Sequence, residues 1–393
     1  MIDITGVAFT MALAPLPFDS PLSDYVNQAD ALLAGWRARD QSAIRVFTSK
    51  HPKFLDDKIP WLERAMSRED VLATPIDDGD AKLALARSYD FYDWSRLEEY
   101  VDAVRMPGPV QHFERAVEAV IGGDAATLSQ LLRDHPALVR ARSTRVNCFD
   151  PPVHRATLLH YLAANGVEGY RQRSPQNAVE IAKLLLHAGA DPNALQDSYG
   201  GQHTTIAMLV SSTPPKEAGV QVPLVNVLVD YGATVSPSGN GAWTSPLETA
   251  LVFGMRDAAQ ALVDRGAPVD TLAAAAGLGR VDQVRRMLPA AGANDRHRAL
   301  ALASQLGQLE VVKILLDAGE DPNRFNPEGC HSHATPLHQA IAAGHLEMTE
   351  LLVARGAKLD TKDTIFKGTP LGWAVHCEKP DIAAYLRSRG ATQ

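Results

Sequence analysis

Cysteine is scarce in this chain of 393 residues: Cys148, Cys330 and Cys377 are all there is. Three widely spaced thiols cannot form a disulfide framework and fit a reducing compartment, so the expected location is the cytoplasm. Long apolar runs are missing too. None reaches the roughly 18 residues that span a bilayer, so no membrane is expected among the partners. Positive charge is in deficit, with 38 Lys+Arg against 46 Asp+Glu and a net charge of -8. That balance argues against nucleic acid, because neutralising phosphates needs a clustered cationic excess. The opening MIDITGVAFTMALAPLPF is apolar but has no basic start and carries Asp3, so it does not read as a secretory signal. Residues 1–19 are expected to form a disordered leader. No GxxxxGK[ST], HExxH, GxSxG or paired CxxC occurs. Neither a cofactor nor a metal is expected. What is present, 46% hydrophobic and 21% charged residues, suits a protein with a sizeable core.

Repeats organise that core. A helix end followed by glycine recurs at Gly189, Gly232, Gly266, Gly319, Gly356 and Gly390, in LLHAG, LVDYG, LVDRG, LLDAG, LLVARG and YLRSRG. Glycine ends a helix in the left-handed conformation without a Cβ clash. A second element precedes these glycines in register: TLLH at Thr157, SPLE at Ser245, TPLH at Thr335 and TPLG at Thr369. Thr or Ser opens a helix, Pro sits in the first turn where its missing N–H is no loss, and Leu packs inward.

TPLHQAIAAGHLEMTELLVARGAKLD (335–360) resembles the ankyrin consensus, a β-turn followed by two antiparallel helices. The resemblance covers residues 110–393 in about eight irregular units, and it implies an all-α ankyrin-repeat solenoid with short β-hairpin fingers. Fingers and first helices would line a concave surface. The unit at 156–193 carries about eleven extra residues, GVEGYRQRSPQN, between its helices, and the one at 203–234 carries SSTPPKEAGVQ. TLAAAAGLGRVDQVRRML (271–288) is shortened and lacks a finger motif. Upstream, 27–50 and 113–135 share one plan, helix, polar break, helix, then His–Pro. In AKLALARSYDFYDWSRLEEYV (81–101), Leu83, Ala86, Phe91, Trp94, Leu97 and Val101 read as core. Residues 20–106 are therefore expected to be a helical cap over the open end of the stack, with Met106–Pro107–Gly108–Pro109 as linker. Together with RATLLHYLAANGVEGYRQRSPQNAVEIAKLLLHAGAD, NPEGCHSHATPLHQAIAAGH and KGTPLGWAVH, the cap sequence is also similar to a group of bacterial ankyrin proteins of uncharacterised activity.

The histidines divide by position. His160 and His338 occupy the TPLH site, where an imidazole ties neighbouring turns together. His331 and His333 lie in the finger before Thr335, on the same side of an extended segment, beside Cys330. Three readings of that pair stand open: part of a zinc site, which would need further ligands; a polar-ligand or proton-transfer pair; or ordinary residues of an exposed finger. Equivalent finger positions carry Arg155, Tyr199, His203 and Trp243, and neighbouring inner-helix positions carry Tyr161, Gln339 and Trp373. Equal positions of stacked repeats fall side by side, so these residues are expected to form a row with a hot-spot mixture of side chains. The insertion adds Glu168, Tyr170 and Arg171, either as an acid/base pair with an anion clamp or as an internal ionic network holding the loop.

Two functions follow. In the first, the concave face grips a protein partner, with Arg155, Tyr161, Arg171, Tyr199, His203, Trp243, Gln339 and Trp373 as contacts. In the second, the concave pocket is a small-molecule site of a hydrolase, lyase or isomerase, with His331, His333, Glu168 and Tyr170 as catalytic candidates. Pocket shape discriminates them: an open groove suits a protein, and a closed cavity of a few hundred Å³ suits a small molecule.

Overall fold

The computed structural model describes residues 14–241 and 243–392. The expected leader lies outside the described residues as far as residue 13. Beyond it, the Leu16 N–H donates to the Tyr89 hydroxyl at 2.9 Å. The chain forms two compact units, one of residues 14–234 and 238–241, the other of residues 235–237 and 243–392.

The first unit opens with the cap: α1 (Leu22–Arg37), α2 (Gln41–Lys50), α3 (Arg68–Ala73), α4 (Asp78–Ser88) and α5 (Trp94–Arg105). Carboxylates start three of these helices, α2, α4 and α5, by accepting otherwise unpaired N–H groups. Asp40 takes Ser42 N and Ala43 N, Asp77 and Asp80 form a capping box, and Asp93 takes Arg96 N. The stripe Ala81, Ala84, Leu85 and Ser88 has the spacing that points one helix face inward. It buries Leu85 and leaves Leu83 half-buried; Trp94 is half-buried as well, while Ala86, Phe91, Leu97 and Val101 are core as expected. Trp36 and Phe47 meet edge to face at 4.9 Å.

Helix pairs follow: α6 (Pro109–Gly122) with α7 (Ala125–Asp134), and α8 (Leu158–Ala163) with α9 (Ala178–His187). Next come α10 (Thr205–Leu209), the insertion helix α11 (Thr213–Glu217) and α12 (Gln221–Asp230). The strands β1 (Leu195–Ser198) and β2 (Gly201–Thr204) form an antiparallel finger in register Leu195↔Thr204 to Ser198↔Gly201. First helices stack as α6, α8, α10 and second helices as α7, α9, α12, and the cap joins them where α5 packs on α6.

The second unit repeats the plan with α13 (Pro246–Val252) and α14 (Arg256–Asp264), α15 (Leu272–Gly277) and α16 (Val281–Met287), α17 (Ala293–Gln305) and α18 (Leu309–Asp317). It continues with α19 (Pro336–Ala342) and α20 (Leu346–Ala354), then α21 (Pro370–His376) and α22 (Pro380–Ser388). Its core runs through Leu272, Leu300, Val312, Leu337, Ile341, Leu371 and Leu386. In the shortened repeat, α15 is built from LAAAAG and every residue is buried, so small side chains let the flanking helices close on it. The six glycines at helix ends all have φ between 88° and 95°, the left-handed region where any other residue is strained. The fold is an all-α ankyrin-type solenoid with an N-terminal helical cap.

Candidate functional site

Buried charge dominates the site in the first unit. Arg171 is fully buried, with Nη1 2.6 Å from Glu114 Oε2 and 3.9 Å from Glu168 Oε2, and Nε 3.3 Å from Glu118 Oε1. Its Nη2 donates to the Tyr100 hydroxyl at 3.0 Å, and that hydroxyl donates to Glu114 Oε2 at 3.0 Å. Arg145 lies with Nε 3.4 Å from Glu168 Oε1 and donates to the Tyr170 hydroxyl at 2.7 Å and to Tyr89 O at 2.8 Å. Its guanidinium sits 4.0 Å over the Phe91 ring and 4.6 Å over Tyr100. Tyr161 donates to Glu168 Oε1 at 3.4 Å, and Gly169 N donates to Asp90 Oδ2 at 2.5 Å.

Burial alone pushes the Glu168 carboxyl up, but Arg145 and then Arg171 outweigh it and hold the group below the usual glutamate value. Burial raises the hydroxyls of Tyr161 and Tyr170. Glu168, Tyr170 and Arg171 thus spend their polar atoms on one another and on the cap. Of the two expectations for the insertion, this geometry matches the internal network.

The other candidates of this unit lie on its fingers. Arg155 is exposed at φ 52° with Nε 3.7 Å from Asp197 Oδ2. Tyr199 is 37% exposed and donates to Asn165 Oδ1 at 2.6 Å. His203 is buried, its Nδ1 3.2 Å from Ser198 Oγ.

In the second unit Trp243, His331, His333 and Trp373 do come together. The train of ring contacts runs Trp243–Phe253 (5.9 Å), Phe253–His331 (6.4 Å), His331–His333 (6.3 Å) and His333–Trp373 (5.9 Å). The expectation of an exposed finger is corrected here: His331 is 7% and His333 9% exposed. His331 donates from Nε2 to Val252 O at 3.0 Å, and burial lowers both imidazoles, so they are neutral at neutral pH. Trp373 is also interior, donating to Asp363 Oδ2 at 3.0 Å, and Gln339 is buried beside α19's cap. Among the described residues no three His, Cys, Asp or Glu side chains converge as metal ligands.

The TPLH pair behaves alike in both units. The Nδ1 atoms of His160 and His338 accept from the N–H of Thr157 and Thr335, and burial drives the imidazoles down to about 3 and about 4. His160 also donates to the His203 carbonyl of the next finger at 3.3 Å.

Sequence reasoning missed Arg145, Glu114, Tyr100 and Asp90, which carry no local motif. It also missed Asp363, whose signal was present in DTIFKG. Its carboxylate accepts from Ile365, Phe366 and Gly368 N, the signature of an Asx-type turn. Among the cavities, an enclosed apolar gap between Leu162, Ala182, Leu209 and Leu228 has no room for a water molecule, and a roomier one of about 390 Å³ beside Lys362 and Lys367 is open to solvent.

Stacked helix pairs, fingers and histidine-capped first helices define a repeat scaffold. Family matching agrees on the class: the description "Ankyrin repeats (many copies)" fits residues 297–353 and 337–387, and "Ankyrin repeat" fits 154–197. The human cyclin-dependent kinase 4 inhibitor B is 30% identical over 138 residues, which cover 34% of this chain and 97% of that protein. Human cyclin-dependent kinase inhibitor 2A is 32% identical over 123 residues, 30% of this chain and 76% of that protein. Mouse ankyrin repeat and SAM domain-containing protein 6 is 32% identical over 111 residues, 28% of this chain but only 12% of that protein's length. The chain belongs to the ankyrin-repeat family.

Proposed function

We propose that this chain is a protein-binding module that grips its partner through its fingers and first helices, the concave face of an ankyrin stack. The observation that carries this reading is the set of large aromatic side chains left exposed at ordered fingers, Phe149 and Tyr199 at 37% and Phe366 at 46%. Exposed aromatics on a rigid frame are the usual anchors of a protein interface. Arg155, exposed at a neighbouring finger, is the polar clamp. Trp243 and Trp373, expected among the contacts, contribute by stiffening the fingers, as do His203, His331, His333 and Gln339. Tyr161 and Arg171 act within the network that fixes the insertion.

Support also comes from the two relatives named as inhibitors of cyclin-dependent kinases, whose targets are proteins. The small-molecule alternative wanted a closed cavity; the enclosed gap is apolar and too small, and Glu168 and Tyr170 are engaged elsewhere. The proposal includes residues 20–106 as a cap on the 110–393 array, the likeness to bacterial ankyrin proteins, and a cytoplasmic location, in keeping with three free thiols. It excludes nucleic acid as a partner on grounds of net charge. Quantitative affinity capture with the wild type and a Phe149→Ser/Arg155→Ala/Phe366→Ser variant tests it. A partner lost by the variant while its melting temperature holds supports the finger face; a partner retained in full removes it.

A further inference from the structure

Two Asn–Gly pairs occur in the chain, Asn165–Gly166 and Asn240–Gly241. A glycine has no side chain to cover its amide nitrogen or restrict its backbone, so that nitrogen can reach the side-chain carbonyl of the asparagine before it. The structure holds the two asparagines in opposite ways. Asn165 is half-buried, and its side chain is tied at both ends. Its Nδ2 donates to Ser211 Oγ at 2.7 Å, and its Oδ1 accepts from the Tyr199 hydroxyl at 2.6 Å and from Gly166 N at 2.8 Å. Gly166 is hemmed in as well, since a Cβ there would collide with Gln196 Nε2 and press on Met208 Sδ.

Asn240 is exposed, and among the described residues its side-chain amide has no partner. Only its backbone is held: Asn240 N donates to Gln202 O at 3.2 Å, and Gln202 N donates to Asn240 O at 3.0 Å. This isolated antiparallel rung lies beside β2, outside the β1–β2 ladder and within the first unit. Main chain packs on main chain there. A Cβ on Gly239 would collide with Gln202 O, and one on Gly241 would lie 2.9 Å from Gly201 Cα. Gly239 and Gly241 have φ of 88° and 96°, so glycine is required on both sides of Asn240. The fold itself thus sets an unshielded asparagine amide directly before an obligatory glycine.

We propose that Asn240–Gly241 is a self-modifying site, where the chain converts its own asparagine to aspartate and isoaspartate, and that the isoaspartate form gives up the rung to Gln202. Gly241 N attacks Asn240 Cγ. The N–Cγ bond forms, the Cγ–Nδ2 bond breaks, the Gly241 amide proton passes to solvent base, and Nδ2 leaves as ammonia. Water then opens the cyclic imide at either carbonyl. Cleavage between the imide nitrogen and Cγ restores the ordinary main chain with an aspartate side chain. Cleavage between that nitrogen and the backbone carbonyl carbon leaves the chain running through Cβ and Cγ. The sum is amide plus water giving carboxylate plus ammonium, with no oxidant or enzyme required. Isoaspartate lengthens the main chain by a methylene, so the N–H and C=O of residue 240 no longer meet Gln202 in register. The edge of β2 at Gln202 is then bare, and a bare strand edge is ready to pair again.

Ageing the full chain in mildly alkaline buffer at physiological temperature, followed by peptide mapping in a mass spectrometer, tests this. The peptide carrying Asn240 is expected to gain about 1 Da and to split into two chromatographic forms, with matching release of ammonia. The peptide carrying Asn165 should react at least about tenfold more slowly in the folded chain, and at a similar rate to Asn240 in urea, because local structure is what protects it. Asn240→Gln should suppress the mass gain at this site. Hydrogen exchange separates the added methylene from the added charge: the Gln202 amide should lose protection in the isoaspartate form and keep it in Asn240→Asp. An Asn240 that stays unreacted, an Asn165 that reacts as fast in the folded chain, or a Gln202 amide equally protected in fresh and isoaspartate protein overturns the proposal.

Discussion

Two irregular stretches interrupt the helix pairs, and they are fastened by opposite chemistry. Residues 166–177 in the first unit are held by full charges: Arg171 between Glu114, Glu118 and Glu168, and Arg145 against Glu168 under three aromatic rings. Residues 326–334 in the second are held by neutral rings and backbone, with His331 on Val252 O, His333 between His331 and Trp373, and Asn326 N on Ala334 O. A buried charge is stable only while all its partners stay in place, so the first stretch is rigid and brittle. Neutral rings lose little when one contact goes, so the second is tolerant.

The sharpest way to break this contrast is to remove one charge. Arg171→Ala strands two buried carboxylates, and urea unfolding should show the first unit destabilised by about 3–5 kcal/mol; an unshifted midpoint would mean the network is not what holds the insertion. Acid gives the next effect. His338 titrates at about 4 when folded but near 6.5 when unfolded, so the unfolded chain takes the proton first and stability falls as pH drops from about 6.5 toward 4, by on the order of 3 kcal/mol. His160, at about 3, extends the same slope. Glu168, held below its usual value, adds its own loss only once pH falls below about 4.5. Denaturation midpoints of His338→Gln across pH 4–7 should show a shallower slope than wild type; an identical slope would clear that imidazole of any role.

Within the tolerant stretch, His331→Ala should lower stability by about 1–3 kcal/mol through the lost bond to Val252 O. Thermal melts indistinguishable from wild type would return His331 to the exposed finger first expected from sequence. Smallest of all, Phe149→Ser and Phe366→Ser should each stay within about 0.5 kcal/mol of wild type, and a larger drop in denaturation free energy would show those rings to be core rather than contact surface.

The repeat scaffold was legible because its signals are local. Six glycines, the TPLH tetrapeptides and the helix-starting Asp40 and Asp124 each act within a few residues, so sequence alone places them. The ring train in the second unit was half legible: repeat register correctly brought Trp243, His331, His333 and Trp373 together, but register says nothing of depth, and a finger folded back onto Val252 buries what an extended one exposes. The ionic network was the least legible. Glu168 and Arg171 stood out by composition, yet their partners Arg145, Glu114 and Tyr100 lie in three separate elements with no pattern linking them. In α4 the error was angular, since Leu83 and Leu85 differ by two positions and only packing against α1 and α2 decides which turns inward.

The reach of Arg171 back to the cap has a consequence for synthesis on the ribosome. Tyr100, its partner, is made 71 residues earlier. At roughly 5–20 residues per second, Tyr100 must wait about 4–14 s and Glu114 about 3–11 s for their cation to be translated. During that interval the nascent chain exposes a carboxylate and a set of tyrosines that only a later segment can cover, so the amino-terminal helices reach their final packing after the second repeat has emerged, and their maturation is timed by the repeats they cap.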